Sequence, residues 1–254
     1  YINDKLYYEG VDLSTEDFYK FQTDGADIKT SMPIVGEVLD KWNELLKEYD
    51  EVIYIPLSSG LSASCATAVS LAEEDEYEGK VFVVNNQRIS VTMKLSAYEA
   101  KHMADEGKTG AQIKEYLEAH KLESTIYIMV DTLEYLKKGG RITPSVAAIG
   151  TVLNIKPVLQ IQGGKLDTYK KVRGLHAAQH TMLEAVRQDL ATRFADMPMV
   201  LRTAYTGDEA IGRVWNAQVQ EQFPEFEVTG DPLPISIACH VGPGVIALGL
   251  MRKI

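Results

Sequence analysis

Two textures alternate through the first half of this chain: short, unbroken apolar runs, and stretches in which apolar residues return every three or four positions. The runs VIYIPL (52–57), VFVVN (81–85) and TIYIMV (125–130) show no polar alternation. Both faces of each strand are therefore expected to be covered, as in a parallel sheet. Between them Ile34, Val35, Val38, Leu39, Trp42, Leu45 and Leu46 fall on one face of a helix. Ser14 with Asp17, and Thr109 with Gln112, have capping-box spacing, which predicts a helix over 15–22 and another ending near His120. Strands alternating with helices predict an α/β layer.

Beyond residue 150 the pattern changes. Residues 154–174 form two alternating runs around Gly163 and Gly164, which is a hairpin signal and implies antiparallel pairing. A helix over 175–194, a strand over 199–204, a helix over 208–222 and a strand-rich segment from Ile235 follow. The fold class read from this pattern is α/β with two domains. Residues 1–150 would form a parallel α/β layer domain with hydroxyl-rich loops, and 151–254 an antiparallel sheet flanked by helices. A cleft between two such domains is the default place for a ligand.

Composition narrows the partners. The 254 residues are 45% hydrophobic and 24% charged with a formal net charge of -10, a poor match to a polyphosphate, so nucleic acid is not expected as a partner. The sequence has no apolar run of the ~18 residues needed to cross a bilayer, and no charged segment leading into an apolar core at its start, so a cytoplasmic location is expected. Cys65 and Cys239, both in apolar surroundings, read as buried thiols. No cofactor or metal is expected, because phosphate-loop, dinucleotide and zinc-ligand motifs are lacking.

Five segments carry candidate chemistry. LSSGLSASCATA (57–68) follows an apolar run and opens a helix of small residues, so Ser59 and Ser62 sit beside a helix N-terminus, where an anion is favoured. The same residues also describe a plain cap, with Ser62 serving only its own helix. KTSMP (29–33) offers Thr30 and Ser31, either of which is suited to cap the next helix with Pro33 in its first turn. CHVGPG (239–244) sets His240 between an apolar strand and a Gly-Pro-Gly turn. YLKKGGRITPS (135–145) reads mostly as helix punctuation, with Thr143 and Pro144 as cap and first residue, and Arg173 of KVRG is a surface charge or a partner contact. Hydroxyls and an imidazole describe carboxylate binding better than turnover. The alternative they leave open is a serine-type hydrolase or acyl transferase using Ser62 and His240.

Taken in order, KTSMP, LSSGLSAS, EYLKKGGRI, LNIKPVL, KVRG and HVGPG resemble the motifs of the DegV family, whose best understood member is FakB, the acyl-binding subunit of bacterial fatty acid kinase. The resemblance covers about Gly10 to Arg252. It implies a non-catalytic carrier that buries one long-chain fatty acid in a tunnel between two domains and presents the carboxylate to a separate kinase. Thr30, Ser59, Ser62 and His240 would take the family's carboxylate-binding places, with Ser31 beside Thr30, and Arg173 would lie at the entrance where the kinase acts. Met32, Ile34, Ala63, Ser64, Asn85 and Asn86 depart from the family pattern but leave the anion-binding hydroxyls in place. The family's first strand falls before Tyr1, so a core strand is expected to be missing.

Overall fold

The computed structural model describes residues 1–147 and 155–253, without the side chain of Ser145. The domain boundary expected at 150/151, and Leu153 and Asn154 of LNIKPVL, lie outside the described residues. Along the chain run α1 (Thr15–Thr23), α2 (Val35–Leu45), β1 (Val52–Tyr54), α3 (Ser64–Ala72), β2 (Val81–Val83), α4 (Ser90–Asp105), α5 (Gly110–Ala119), β3 (Ser124–Met129) and α6 (Glu134–Lys138). There follow α7 (Pro144–Ala147), β4 (Ile155–Gln162), β5 (Lys165–Arg173), α8 (Leu175–Ala191), β6 (Met199–Tyr205), α9 (Glu209–Gln222), β7 (Thr229–Pro232), α10 (Ile235–Val241) and β8 (Ile246–Arg252).

The described residues gather into two compact units. One takes Met32–Glu123 with Gly163–Lys165, and the other Tyr1–Ser31, Ser124–Gln162 and Leu166–Lys253. This grouping differs from a division into 1–150 and 151–254, since β3 and the first 31 residues belong with the later part of the chain.

In the unit built on Met32–Glu123, β1 and β2 pair in parallel, with Val52 opposite Val81 and Tyr54 opposite Val83. Pro56 has no N–H to give a ladder, so β1 ends before the apolar run does. Trp42 of α2 is buried against Tyr54 and Tyr77, its ring edge-on at 5.5 and 5.4 Å, with Ala68, Val81 and Val83 around it. Val84, Ala100, Met103, Ile113 and Leu117 form a second cluster with Ile53 and Ile55. Successive strand residues thus enter different clusters, which is why the runs carry no polar positions. The capping box of α5 forms as its sequence predicts: Thr109 accepts from the Gln112 N–H and the Gln112 side chain accepts from the Thr109 N–H.

The other unit is organised on a six-stranded sheet in the order β5-β4-β3-β8-β6-β7. The TIYIMV run, expected in the parallel layer, instead lies antiparallel to both β4 and β8. Its uniform apolarity reports burial of both faces, which a central antiparallel strand shares with a parallel one. Nor is this sheet wholly antiparallel, for the edge strand β7 runs parallel to β6. Gly163 and Gly164, with φ of 68° and 87°, make the two-residue turn between β4 and β5 that their dipeptide predicts. Helices α8 and α9 bury Met182, Val186, Trp215 and Val219 against Tyr127, Met129, Leu201, Ile246, Leu248 and Leu250. The segment from Ile235 is a correction: it is α10, and β8 begins only at Ile246. Seven residues of ISIACHV are too few for period to separate helix from strand. Against α10 pack Ile2, Leu13 and Phe18. Among the described residues no helix is long and apolar enough to cross a membrane.

Candidate functional site

Thr30 does not cap the helix that follows it. The N-cap position of α2 is Ile34, which makes no side-chain cap bond, so the hydroxyls of KTSMP are left for other uses. The Thr30 Oγ1 lies 2.7 Å from the Nε2 of His240, two residues that the sequence separates by 210 positions. Several contacts bring them together. The segment leading to Thr30 is held by the Lys29 N–H to Tyr1 O and by the Asn3 N–H to Asp27 O, and α1 reaches α10 through Gln22, whose Nε2 donates to Ala238 O.

His240 sits in the last turn of α10, on a seat made by the YLKKGGRI segment. A Cβ placed on Gly139 would come within 2.1 Å of the His240 Nδ1 and 2.8 Å of its Cε1, so only glycine lets the ring approach. Arg141 donates to the Gly139 carbonyl and fixes this stop after α6. One turn earlier, the Tyr135 ring lies where a Cβ on Gly242 would meet it at 2.4 Å, and Gly242 has a φ of 81°. The punctuation of α6 is therefore also the wall behind the histidine. Its sequence signal, two glycines after a helix, was legible as a stop and carried no trace of its partner.

Burial, and secondarily the Arg141 charge, push the His240 imidazole down to about 4 from its ordinary 6.5. At neutral pH the ring is therefore uncharged. Between pH 6.5 and about 4 the unfolded chain binds the extra proton and the folded chain does not, so stability falls as pH is lowered through that window. The melting temperature of ligand-free protein is expected to drop more steeply there than that of His240→Gln; parallel curves would remove this assignment.

In the other unit the serines have distinct duties. Ser58, which sequence reasoning passed over, is buried and braces the loop: its Oγ donates to Gly164 O at 2.9 Å and accepts from the Gly60 N–H. The Ser58 carbonyl accepts from the N–H groups of Leu61 and Ser62. Ser62 Oγ accepts from the Ser64 N–H at 3.2 Å just ahead of α3, whose N-cap position, Ala63, makes no side-chain cap bond. Ser59 is exposed, and so is Ser31, which belongs to the unit of Thr30 and His240. Arg173 is the exposed last residue of β5, ahead of Gly174 with its φ of 81°. Neither cysteine forms a disulfide; Cys65 is buried, whereas Cys239 is only half-buried, and its thiol is pushed up to about 12, chiefly by desolvation. Among the described residues no group of three or more His, Cys, Asp or Glu side chains is placed to hold a metal ion.

The Thr30–His240 pair and the serine loop ahead of α3 each carry uncharged polar groups. Known proteins resemble this chain throughout its length. The sequence profile of the DegV family, described as an uncharacterised protein family, matches residues 1–253. A DegV domain-containing protein of Listeria monocytogenes is 30% identical over 250 residues, spanning 97% of this chain and 87% of the relative. A solved DegV family protein from Thermus thermophilus, described by its fatty acid binding, superposes with a TM-score of 0.87 at 27% identity, over 99% of this chain and 89% of its own. DegV from Bacillus subtilis, described as a fatty acid binding protein, gives a TM-score of 0.85 at 25% identity, over 100% and 89%.

Proposed function

The chain belongs to the DegV family, and from that premise we propose that it is a carrier of one long-chain fatty acid. The observation that carries this reading is the Thr30–His240 pair, a hydroxyl and an uncharged imidazole joined at 2.7 Å in a half-buried setting. Relatives described as binding fatty acids support it. Thr30 and His240 are the proposed carboxylate-binding pair; the loop bearing Ser59 and Ser62 is proposed separately as a carboxylate-binding element, and Ser31 is a subsidiary candidate.

Burial of about 14 methylenes at about 0.8 kcal/mol each favours binding by roughly 11 kcal/mol. Association itself offsets at least several kcal/mol of that. The carboxylate must then be hydrogen-bonded, because an unpaired charge in an apolar site is not tolerated. The protein would not turn the acid over. In this reading it presents the carboxylate, in the cytoplasm and without a cofactor, to a separate fatty acid kinase that forms the acyl phosphate, with Arg173 on the surface the kinase meets. His240 Nε2 is hydrogen-bonded with the Thr30 hydroxyl.

Native mass spectrometry of protein purified from lipid-rich cells is expected to show a bound C14 to C18 acid. Delipidated His240→Ala and Thr30→Val should each bind palmitate about 1 to 3 kcal/mol more weakly, the cost of one hydrogen bond to a charged group. Unchanged palmitate binding in both variants would remove the pair from the site, and wild type that takes up no fatty acid at all would end the carrier reading.

A further inference from the structure

The serine loop hangs on a second loop, residues 84–89, that follows β2. The Ser58 N–H donates to the Arg88 carbonyl at 3.1 Å, and the Ser58 carbonyl in turn receives the N–H of Ser62. Ser62 is thus two backbone hydrogen bonds from Arg88. What fixes Arg88 is its own side chain, which is buried, the whole residue being 2% exposed. One terminal nitrogen donates to Ser96 Oγ at 2.8 Å and lies 3.6 Å from a Glu99 carboxylate oxygen, while the other donates to the His120 carbonyl at 2.8 Å. Ser96 and Glu99 stand on α4 and His120 directly follows α5, so one planar group ties the loop to two helices.

A guanidinium and a carboxylate in such a place are costly, and apolar residues of similar size commonly serve stability as well or better. What the planar fork adds is geometry. Gln87 and Ser90 on either side of it have φ of 57° and 56°, a conformation that side-chain-bearing residues seldom take unless their surroundings impose it. The Arg88 N–H also donates to its neighbour Asn86 through Oδ1 at 3.3 Å.

We propose that Arg88 is a positioning residue for the carboxylate-binding serine loop: anchored by Glu99, Ser96 and the His120 carbonyl, it sets the backbone from which Ser58 places Ser59 and Ser62. This rests on the carrier reading given above. Its signature is selectivity for the head group, because a displaced serine loop weakens a lipid with a carboxylate and spares one of equal chain length without it.

The test titrates delipidated wild type, the double variant R88M/E99M and the single variant S96A with palmitate and with hexadecanol, and records melting of each. R88M/E99M removes both charges together, and S96A removes one acceptor of the guanidinium with little risk to folding. R88M/E99M is expected to melt close to wild type, to bind palmitate about tenfold more weakly, as for one lost charge-assisted hydrogen bond, and to bind hexadecanol within about twofold of wild type. S96A should shift in the same sense by a smaller factor, and it decides the matter if the double variant does not fold. Palmitate affinity equal to wild type in a folded variant, or an equal fall for both lipids, overturns the proposal. Wild type that binds neither lipid overturns the carrier reading instead.

Discussion

Trp215→Ala is expected to destabilise the unit holding the six-stranded sheet by about 3 to 5 kcal/mol, the range for removing a large buried aromatic side chain. Trp215 is among the largest fully buried side chains, with Met182, Val186, Val219 and Leu248 in the same cluster. Its Nε1–H also donates to Ala247 O at 2.9 Å, which pins α9 to the central strand β8. Alanine thus opens a cavity and deletes a buried donor together. The chain has two tryptophans, and the other, Trp42, lies in the other unit. In the variant, tryptophan fluorescence therefore reports only on the Met32–Glu123 unit, and far-ultraviolet circular dichroism follows the sheet. Denaturant unfolding of delipidated protein, free of the stabilisation that a bound ligand adds, is the measurement. A loss below about 1 kcal/mol would mean that the cluster repacks around the gap.

Gly60→Ala carries the second large effect. A Cβ on Gly60 would lie 2.2 Å from the Gly164 carbonyl oxygen and 2.9 Å from its carbon, and both atoms are backbone. No side-chain rotation relieves that contact, so either the serine loop or the turn between β4 and β5 must move. The expected cost is about 1 to 3 kcal/mol, as for overpacking a closely packed site. The same shift breaks the Ser58 Oγ to Gly164 O bond. Palmitate retention should therefore fall along with the melting temperature, and retention at the wild-type level in a destabilised Gly60→Ala would separate the turn from the proposed site.

How far the sequence foretold the molecule depended on whether a feature was local. The Thr109–Gln112 capping box, the Gly-Gly turn and the Thr143–Pro144 start of α7 are made by residues within a few positions of one another, and each forms as its spacing predicts, while Ser14 caps α1 by accepting from the Asp17 N–H without the return bond of a full box. Strand direction is not local. VIYIPL and TIYIMV have the same texture, yet β1 pairs in parallel and β3 antiparallel, because polarity records what covers a strand and says nothing about its neighbour's sense. Thr30 and His240 were each singled out by chemistry, but their pairing depends on residues near both ends of the described chain. Gly139 and Arg88 were missed as site supports for a related reason: glycine after a helix and arginine in a loop are ordinary in sequence, and their meaning comes from partners brought by the fold.

The strand order carries a consequence for biosynthesis. β8, the last in order of the described strands, is central in its sheet, with β3 on one side and β6 on the other. On a ribosome adding about 5 to 20 residues per second, two half-sheets, β5-β4-β3 and β6-β7, therefore have no common ladder until β8 emerges. The Met32–Glu123 unit is nearly contiguous and is free to fold well before that moment, while the apolar side chains of residues 1–31 gain their packing partners only with α10. A nascent chain stalled before residue 246 would hold the Met32–Glu123 unit and two half-sheets with no strand between them.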